Sequence, residues 1–159
     1  MTPADRAAVR ELVDRYALAV DERRAAEVAA LFVADGVLAV PRPPASMAPT
    51  TERVGRAAIE TAMASLHRYV STLHAVVGHV VDAAPDDPEH RATGTTTCIA
   101  HHVMAADDGS LTNTVWGLRY HDVYVTDDGT WRFARRALWV GWIEERAVTQ
   151  ASATPPRAG

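Results

Sequence analysis

The chain has 159 residues, the size of one domain, and 48% of them are hydrophobic, so a single buried core is expected. The net charge of −4 and the scattered basic residues argue against nucleic acid or an anionic membrane as a partner, and favour a small neutral or apolar ligand. The single cysteine, Cys98, excludes an internal disulfide framework and a thiolate metal cluster. The sequence also has no apolar run suited to a signal peptide or a membrane span, and together these features predict a cytoplasmic protein.

The first predicted element is a helix that begins at Thr2-Pro3-Ala4-Asp5. Thr is a helix N-cap, Pro suits the first helical position, and an acid near the start complements the free N–H groups. The apolar residues that follow recur at helical spacing and predict one buried stripe: Val9, Leu12, Val13, Tyr16, Ala17 and Val20. Tyr16 is therefore expected to point inward.

The next segment combines short elements with turn signals. A second helix is predicted at about Glu22 to Val33, and Asp35-Gly36 ends it before a short strand at Val37 to Val40. Residues 41 to 53 contain four prolines and are predicted to form a mobile loop. A third helix is predicted near Arg56 to Leu66.

From Leu73 onward the pattern changes to β-branched runs separated by turn clusters. Antiparallel strands are predicted at about 73–83, 91–105, 112–126 and 131–143. The turns between them are Pro85-Asp86-Asp87-Pro88, Asp107-Asp108-Gly109 and Asp127-Asp128-Gly129. Residues 149–159 are polar and Pro-rich and are predicted to be a disordered tail, which leaves one domain at residues 1–148.

Helices first and strands afterwards predict an α+β fold, with a curved, mainly antiparallel sheet that wraps around a pocket and is covered by three N-terminal helices. This order, with DGVLAV after the second helix and YHDVYVTDDGTWRFARR near the end, resembles the α+β cone of nuclear transport factor two and the SnoaL-like polyketide cyclases. The resemblance extends over roughly residues 3 to 146. Within that superfamily the chain is similar to the branch of bile-acid dehydratase and hexachlorocyclohexane dehydrochlorinase, and more distantly to scytalone dehydratase.

The resemblance implies a catalytic set of Tyr16, Asp21, His74 and Arg136. Asp21 matches the acid of the first helix, His74 the strand histidine, Tyr16 the tyrosine five positions before the acid, and Arg136 the arginine of the late strand. The dehydrochlorinase has a lysine where this chain has Tyr16, and scytalone dehydratase has its acid where this chain has Ala17. Elimination of a hydroxyl is therefore favoured over elimination of chloride.

The chemistry of these residues leads to the same expectation. An imidazole is a suitable base for a carbon acid, and a carboxylate on its other nitrogen fixes the tautomer and stabilises the imidazolium, so His74 and Asp21 are a candidate dyad. The alternative is that Asp21 only caps the second helix and His74 is a structural histidine. Tyr16 would stabilise an enolate or protonate the leaving hydroxyl; its alternative role is packing.

Strand alternation makes further predictions about side-chain direction. Arg136 shares parity with Ala134 and Leu138, and Arg135 with Trp131 and Phe133, so one arginine should face inward. The resemblance favours Arg136. His79 should lie on the strand face opposite His74.

Four residues are candidates for substrate binding. They are Trp116, His102, Cys98 and Tyr120. His102 shares parity with Cys98, whereas the adjacent His101 points to the other face, so the two histidines cannot grip one metal. No metal and no cofactor are predicted. Trp116, Trp131, Trp139, Trp142 and Tyr120 suit an apolar pocket wall, the core or a subunit interface.

The sequence therefore predicts a cofactor-independent lyase, a dehydratase that acts beside a carbonyl of a polycyclic or polyketide-type molecule. A polyketide cyclase or a double-bond isomerase shares the first step and is the alternative, as is a non-catalytic domain that binds a small ligand. Exposed apolar strands predict a homodimer or homotrimer.

Overall fold

The computed structural model describes residues 1–151, so the predicted tail at 149–159 lies mostly outside the described part. Helix α1 spans Pro3–Asp21 and starts at the predicted capping box, in which Thr2 Oγ1 accepts from the Asp5 N–H at 3.2 Å and Asp5 accepts from the Thr2 N–H at 2.6 Å. Its predicted apolar stripe is buried. Within residues 1–151 no helix has both the length and the apolarity that crossing a bilayer requires.

The second helix is shorter than predicted. Helix α2 spans only Ala25–Ala30, because Arg23 takes a left-handed backbone conformation with φ of 60° and Phe32 already begins strand β1, Phe32–Arg42. Parallel pairing of β1 with the last strand, for example of Leu38 with Arg136, draws these residues into the sheet. Long-range pairing outweighs the helical preference of the local sequence here.

The prediction of a mobile loop at residues 41–53 is wrong. Strand β2, Ser46–Val54, pairs antiparallel with β1 as a hairpin. The prolines are compatible with it because Pro43 and Pro44 lie in the connecting turn and β2 is the edge strand of the sheet, where Pro49 is tolerated. Helix α3, Arg56–Ala64, and a 3-10 turn, Ser65–Arg68, follow.

The four predicted long strands are present as β3 (Ser71–Ala83), β4 (Arg91–Ala105), β5 (Leu111–Asp127) and β6 (Thr130–Val148). They form a six-stranded sheet in the order β2-β1-β6-β5-β4-β3, with all pairs antiparallel except β1 with β6. The hairpin between β5 and β6 turns at Asp128 and Gly129, whose φ values of 49° and 74° suit the Asp-Gly sequence. The predicted α+β fold, with a curved, unclosed sheet and N-terminal helices, is confirmed.

Two irregularities change the predicted side-chain directions. The register of β3 with β4 shifts between Val76 and Gly78, and one extra residue there turns His79 inward, where its Nε2 lies 3.1 Å from the Tyr124 hydroxyl. The prediction that His79 faces away from His74 is therefore wrong.

A second bulge lies on β6. The pairing shifts between Val123 and Tyr124, whose partners are Arg135 and Phe133. Arg136 therefore lies on the inner face together with Phe133, and its guanidinium carbon is 4.6 Å from the centroid of that ring. Simple alternation had placed these two residues on opposite faces. Arg136 is 1% exposed, and Arg135 is an outward residue that pairs with Glu52 at 2.8 Å.

The tryptophans divide between three environments. Trp131 is buried and its indole N–H donates to Asp5 at 3.1 Å, whereas Trp116 lines a cavity. Trp139 and Trp142 are 40% and 47% exposed on the convex side of the sheet. We call this side the outer face and define it by its exposed apolar residues: Leu73, Val77, Val80, Trp139 and Trp142.

Candidate functional site

Asp21 and His74, which are 53 residues apart in the chain, are hydrogen-bonded to each other. Asp21 is the last residue of α1, and its Oδ1 lies 2.7 Å from His74 Nδ1 while its Oδ2 accepts from the His74 backbone N–H at 2.8 Å. Thr72 Oγ1 donates to Asp21 Oδ1 at 3.0 Å. The two side chains are only 12% and 9% exposed. A neutral His74 that donates from Nδ1 to this carboxylate keeps Nε2 as a free base.

Asp21 does not cap the second helix. The N-cap position of α2 is Arg24, and no side chain caps it. The carboxylate of Asp21 is instead directed at strand β3, so the geometry differs from the helix-cap alternative.

Arg23 holds this part of the site together and was missed by sequence reasoning. Its guanidinium donates to Thr72 Oγ1 at 2.6 Å, to the Asp21 carbonyl at 3.1 Å and to the Tyr69 carbonyl at 3.3 Å. Non-glycine residues at positive φ store strain that neighbouring contacts must offset, and such residues cluster at functional sites. The signal in the sequence was the charged Asp-Glu-Arg-Arg run directly after a buried helical stripe.

His74 lies in the wall of a cavity of about 520 Å³. Every helix and strand except α2 contributes to its lining, as does the 3-10 turn: Tyr16, Val20, Val40, Pro41, Arg53, Ala58, Thr61, Ala62, Met63, Ser65, Leu66, Arg68, Tyr69, His74, His102, Trp116, Tyr120 and Leu138. The wall is mostly apolar, with a few polar groups among the apolar side chains, as is usual for small-molecule sites.

The four candidate binding residues differ in position. Trp116, His102 and Tyr120 line this cavity, but Cys98 does not; it is 1% exposed in the core. Burial raises the pKa of the Cys98 thiol to about 12, so it stays protonated at neutral pH. Between residues 1 and 151, no three His, Cys, Asp or Glu side chains are grouped as metal ligands.

His102 adds a second imidazole beside His74. The two rings are perpendicular with centroids 5.6 Å apart, and His102 also packs against Trp116 at 5.0 Å and Tyr69 at 5.1 Å. Burial, and to a lesser extent the neighbouring His74, lower the pKa of His102 to about 4. Its Nδ1 lies 3.3 Å from the Thr114 carbonyl, so a neutral His102 donates there and keeps Nε2 as an acceptor.

Two buried phenols form the inner end of the cavity. The rings of Tyr16 and Tyr120 meet edge to face at 6.0 Å, and the residues are 4% and 3% exposed. Burial raises the pKa of Tyr16 to about 12 and that of Tyr120 well above its usual value. Both hydroxyls therefore remain protonated at neutral pH and can donate hydrogen bonds to an oxygen in the cavity.

Arg136 lies behind these phenols rather than in the cavity wall. Its guanidinium carbon is 3.8 Å from the centroid of the Tyr120 ring and 4.2 Å from that of Tyr16. A cation at these distances is attracted to the ring faces. Arg136 can therefore influence the cavity through the two tyrosines.

Asp122 is the counter-charge of Arg136 and is a further residue that sequence reasoning missed. Arg136 Nε lies 3.5 Å from Asp122 Oδ1, an ion-pair contact without hydrogen-bond geometry. Asp122 Oδ2 accepts from Tyr124 at 2.9 Å and from Thr96 at 3.2 Å. The signal in the sequence was a carboxylate inside an otherwise strand-like run, Tyr120 to Val125.

Loss of this cation should be strongly destabilising. Arg136→Met leaves the buried Asp122 carboxyl without its counter-charge, so the free energy of unfolding in urea should fall by about 3–5 kcal/mol at neutral pH. Arg135→Met is the matched control, because its exposed pair with Glu52 contributes at most about 1 kcal/mol. An equal small loss in both variants would contradict the structural role of Arg136.

The pH dependence of the Arg136→Met variant provides a second measurement. Burial raises the pKa of Asp122, and Arg136 opposes this rise. Loss of Arg136 should raise the pKa of Asp122 in the folded state still further above its value in the unfolded chain. As the pH falls from neutrality toward the ordinary pKa of an aspartate, the folded variant takes up this proton before the unfolded chain does, so the variant should recover stability relative to the wild-type protein.

Solved structures with the same fold include proteins that are named as enzymes. A putative scytalone dehydratase from Novosphingobium aromaticivorans is 23% identical, with a TM-score of 0.72 over 98% of this chain and 96% of that one. A hexachlorocyclohexane dehydrochlorinase (LinA) type 2 is 15% identical, with a TM-score of 0.74 over 96% and 95%. ActVI-ORFA from Streptomyces coelicolor is 22% identical, with a TM-score of 0.64 over 87% and 98%.

At these identities the structures establish the shared fold. No curated protein sequence matches the chain significantly. The family model of the SnoaL-like domain, however, matches residues 2–137, which is most of the chain. The superfamily expected from the sequence is thereby confirmed. Together with the cone-shaped sheet and its helices, this match shows that the chain belongs to the SnoaL-like domain family.

Proposed function

We propose that this protein is a cofactor-independent lyase, a dehydratase that removes a proton beside a carbonyl and expels hydroxide from a polycyclic or polyketide-type molecule. The observation that carries the proposal is the 2.7 Å contact between Asp21 and His74 in the wall of an apolar cavity. Two solved structures of the same fold are named a putative dehydratase and a dehydrochlorinase, and both names describe eliminations.

In the proposed reaction His74 is the general base. Its Nε2 takes the carbon-bound proton, and the electron pair of the broken C–H bond moves toward the carbonyl oxygen to form an enolate. Asp21 holds the imidazole by its Nδ1 and stabilises the imidazolium that forms. Because Asp21 is also held by Thr72 and a backbone N–H, its carboxylate needs no rearrangement during the step.

The phenols of Tyr16 and Tyr120 are proposed to stabilise the oxygens of the substrate. One donates to the enolate oxygen. The enolate then re-forms the carbonyl and its electron pair makes the new C=C bond as the C–O bond at the neighbouring carbon breaks; the leaving hydroxyl takes up the proton held by the His74 imidazolium, directly or through Tyr16, and departs as water. Arg136 lies against both rings and favours negative charge that develops on or beside the phenols. Trp116 and His102 are proposed to bind the body of the substrate.

The activity can be tested with a panel of hydroxy-ketones of polycyclic and polyketide type. The proposed dehydratase converts at least one of them to a product that has lost one water, as measured by mass spectrometry. A product of unchanged mass with a moved double bond would favour the isomerase instead. Absence of any turnover on carbonyl substrates would contradict the lyase, cyclase and isomerase proposals and leave the ligand-binding alternative.

We also propose that the protein forms a homodimer or homotrimer through the outer face. Val77, Trp139 and Trp142 border one shallow groove there, and apolar patches of this kind mark association sites. Light scattering at micromolar concentration should show an oligomer that Val77→Asp dissociates. Val54→Asp is the matched control, since Val54 is equally exposed, at 59% against 58%, but lies on the distant edge strand β2. A wild-type monomer would refute the proposal.

A further inference from the structure

In the described part of the chain, residues 1–151, two arginines are the charged side chains of the cavity wall apart from the histidines. They are Arg53 on β2 and Arg68 in the 3-10 turn after α3. Among residues 1–151 no carboxylate lines the cavity, and Asp21 lies behind His74 rather than in the wall. A chain with a net charge of −4 thus presents a positively charged cavity.

Neither arginine is neutralised by the part of the chain that the structure describes. Several other surface arginines do have carboxylate partners, such as Arg135 with Glu52 at 2.8 Å and Arg132 with Asp127 at 3.1 Å, whereas the exposed Arg42 and Arg119, which lie outside the cavity, have none within residues 1–151. Within residues 1–151, no carboxylate lies within ion-pair distance of Arg53 or Arg68. Two cations that stay unpaired beside an apolar cavity attract an anionic ligand to it.

Arg68 is also held in place. Its Nη2 donates to the Tyr69 hydroxyl at 2.9 Å, and its guanidinium carbon lies 4.8 Å from the centroid of the Tyr69 ring. Tyr69 itself lines the cavity. A guanidinium held by such contacts loses less side-chain freedom when it binds an anion, and its planar fork suits carboxylate and phosphate oxygens.

Polarity is ordered along the cavity. The inner end consists of the buried phenols of Tyr16 and Tyr120 beside His74, while the exposed lining residues are Arg53, Thr61, Ser65 and Arg68. The exposed residues form the rim, which is in contact with solvent. A ligand that satisfies both ends has an apolar body inside and a charged group at the rim.

We infer that the cavity binds an amphipathic anion, a ring-sized apolar molecule whose carboxylate or phosphate group contacts Arg53 and Arg68 while its reacting carbon lies against His74. The assignment of the reacting end rests on the proposed function. The anionic group distinguishes this substrate class from the neutral apolar ligand that overall composition favours. The charges of the rim arginines should raise both the affinity for the anion and its rate of association, and both quantities should fall as the ionic strength rises.

The test compares three probes of similar shape by isothermal titration calorimetry: naphthoate, naphthyl phosphate and the uncharged acetonaphthone, each substituted at the same ring position. At low salt the wild-type protein should bind at least one of the two anions more tightly than acetonaphthone, and added salt should reduce that preference. The anion that binds more tightly identifies the group for which the rim is suited.

Variants of the rim isolate the charge. Arg53→Gln and Arg68→Gln should each raise the Kd of the preferred anion about threefold, and the double variant about tenfold, as expected for partly exposed ion pairs. The Kd of acetonaphthone should not change. Arg119→Gln is the matched control, because Arg119 is an exposed arginine that borders the groove of the outer face.

Three results would overturn the inference: equal affinity of the wild-type protein for the anions and acetonaphthone, an equal loss for charged and neutral probes in the rim variants, or no binding of any probe. The result is separable from the fate of the proposed reaction, since no turnover is measured. His74→Ala should keep the charge preference even if His74 proves not to be a base.

Discussion

His74→Ala should lower turnover by about two to four orders of magnitude, the contribution of a positioned general base. The fold should tolerate the change, because the Asp21 carboxylate keeps the Thr72 hydroxyl and the backbone N–H of residue 74 as donors. Rates of water loss per folded molecule and melting temperatures measure the two effects separately. Affinity for a bound ligand should change little.

His101→Ala is the matched control for this variant. His101 lies on the other face of β4, next to His102, and its ring contacts Asn113 at 2.9 Å rather than the cavity. A comparable loss of rate in both variants would indicate a general effect of removing a histidine. A His74→Ala protein that is destabilised by about 1–3 kcal/mol but retains its rate would make His74 a structural residue.

Asp21→Asn should also reduce turnover by two orders of magnitude or more, roughly as for loss of the charge that orients and stabilises a catalytic imidazolium. The same change should also destabilise the folded protein. The carboxylate accepts from three donors, at 2.7, 2.8 and 3.0 Å, whereas an amide has one acceptor oxygen and directs its NH₂ group at one of those donors. The free energy of unfolding should therefore fall by about 1–3 kcal/mol.

Asp14→Asn separates this effect from a general change in α1. Asp14 is an exposed aspartate of the same helix and pairs with Arg10 at 2.9 Å, so its replacement should leave the rate unchanged and the stability within about 0.5 kcal/mol. Full activity of the Asp21→Asn protein would refute the dyad. If Thr72→Val lowers the activity as Asp21→Asn does, the position of the Asp21 carboxylate matters as well as its charge.

Local signals in the sequence predicted much of the fold. The capping box at Thr2 and the apolar stripe from Val9 to Val20 specify α1, because both depend on spacing within a few residues. The Asp-Gly turn at Asp128 and Gly129 likewise depends on backbone conformations that these two residues adopt at low cost. The candidate residues of the catalytic set came from the resemblance, and their types suited the chemistry.

Other features depended on contacts between distant segments. Residues 41–53 look like a loop by their prolines, yet β2 forms because β1 offers it a pairing edge. One extra residue in a strand moves every later side chain to the other face. The bulge on β3 therefore turns His79 inward, and the bulge on β6 places Arg136 on the same face as Phe133, both against simple alternation. No local pattern marks such an insertion.

The sequence by itself determined the class of the fold, the first helix, the order of the long strands and the set of residues able to carry acid–base chemistry. Only the tertiary structure decided that Asp21 contacts His74, that Arg23 and Thr72 hold this pair, and that Arg136 lies behind Tyr16 and Tyr120 with Asp122 as its counter-charge. Helical spacing and turn preference act over a few residues, whereas these contacts join residues on different helices and strands. Their geometry is set by how the sheet twists, bulges and packs against α1.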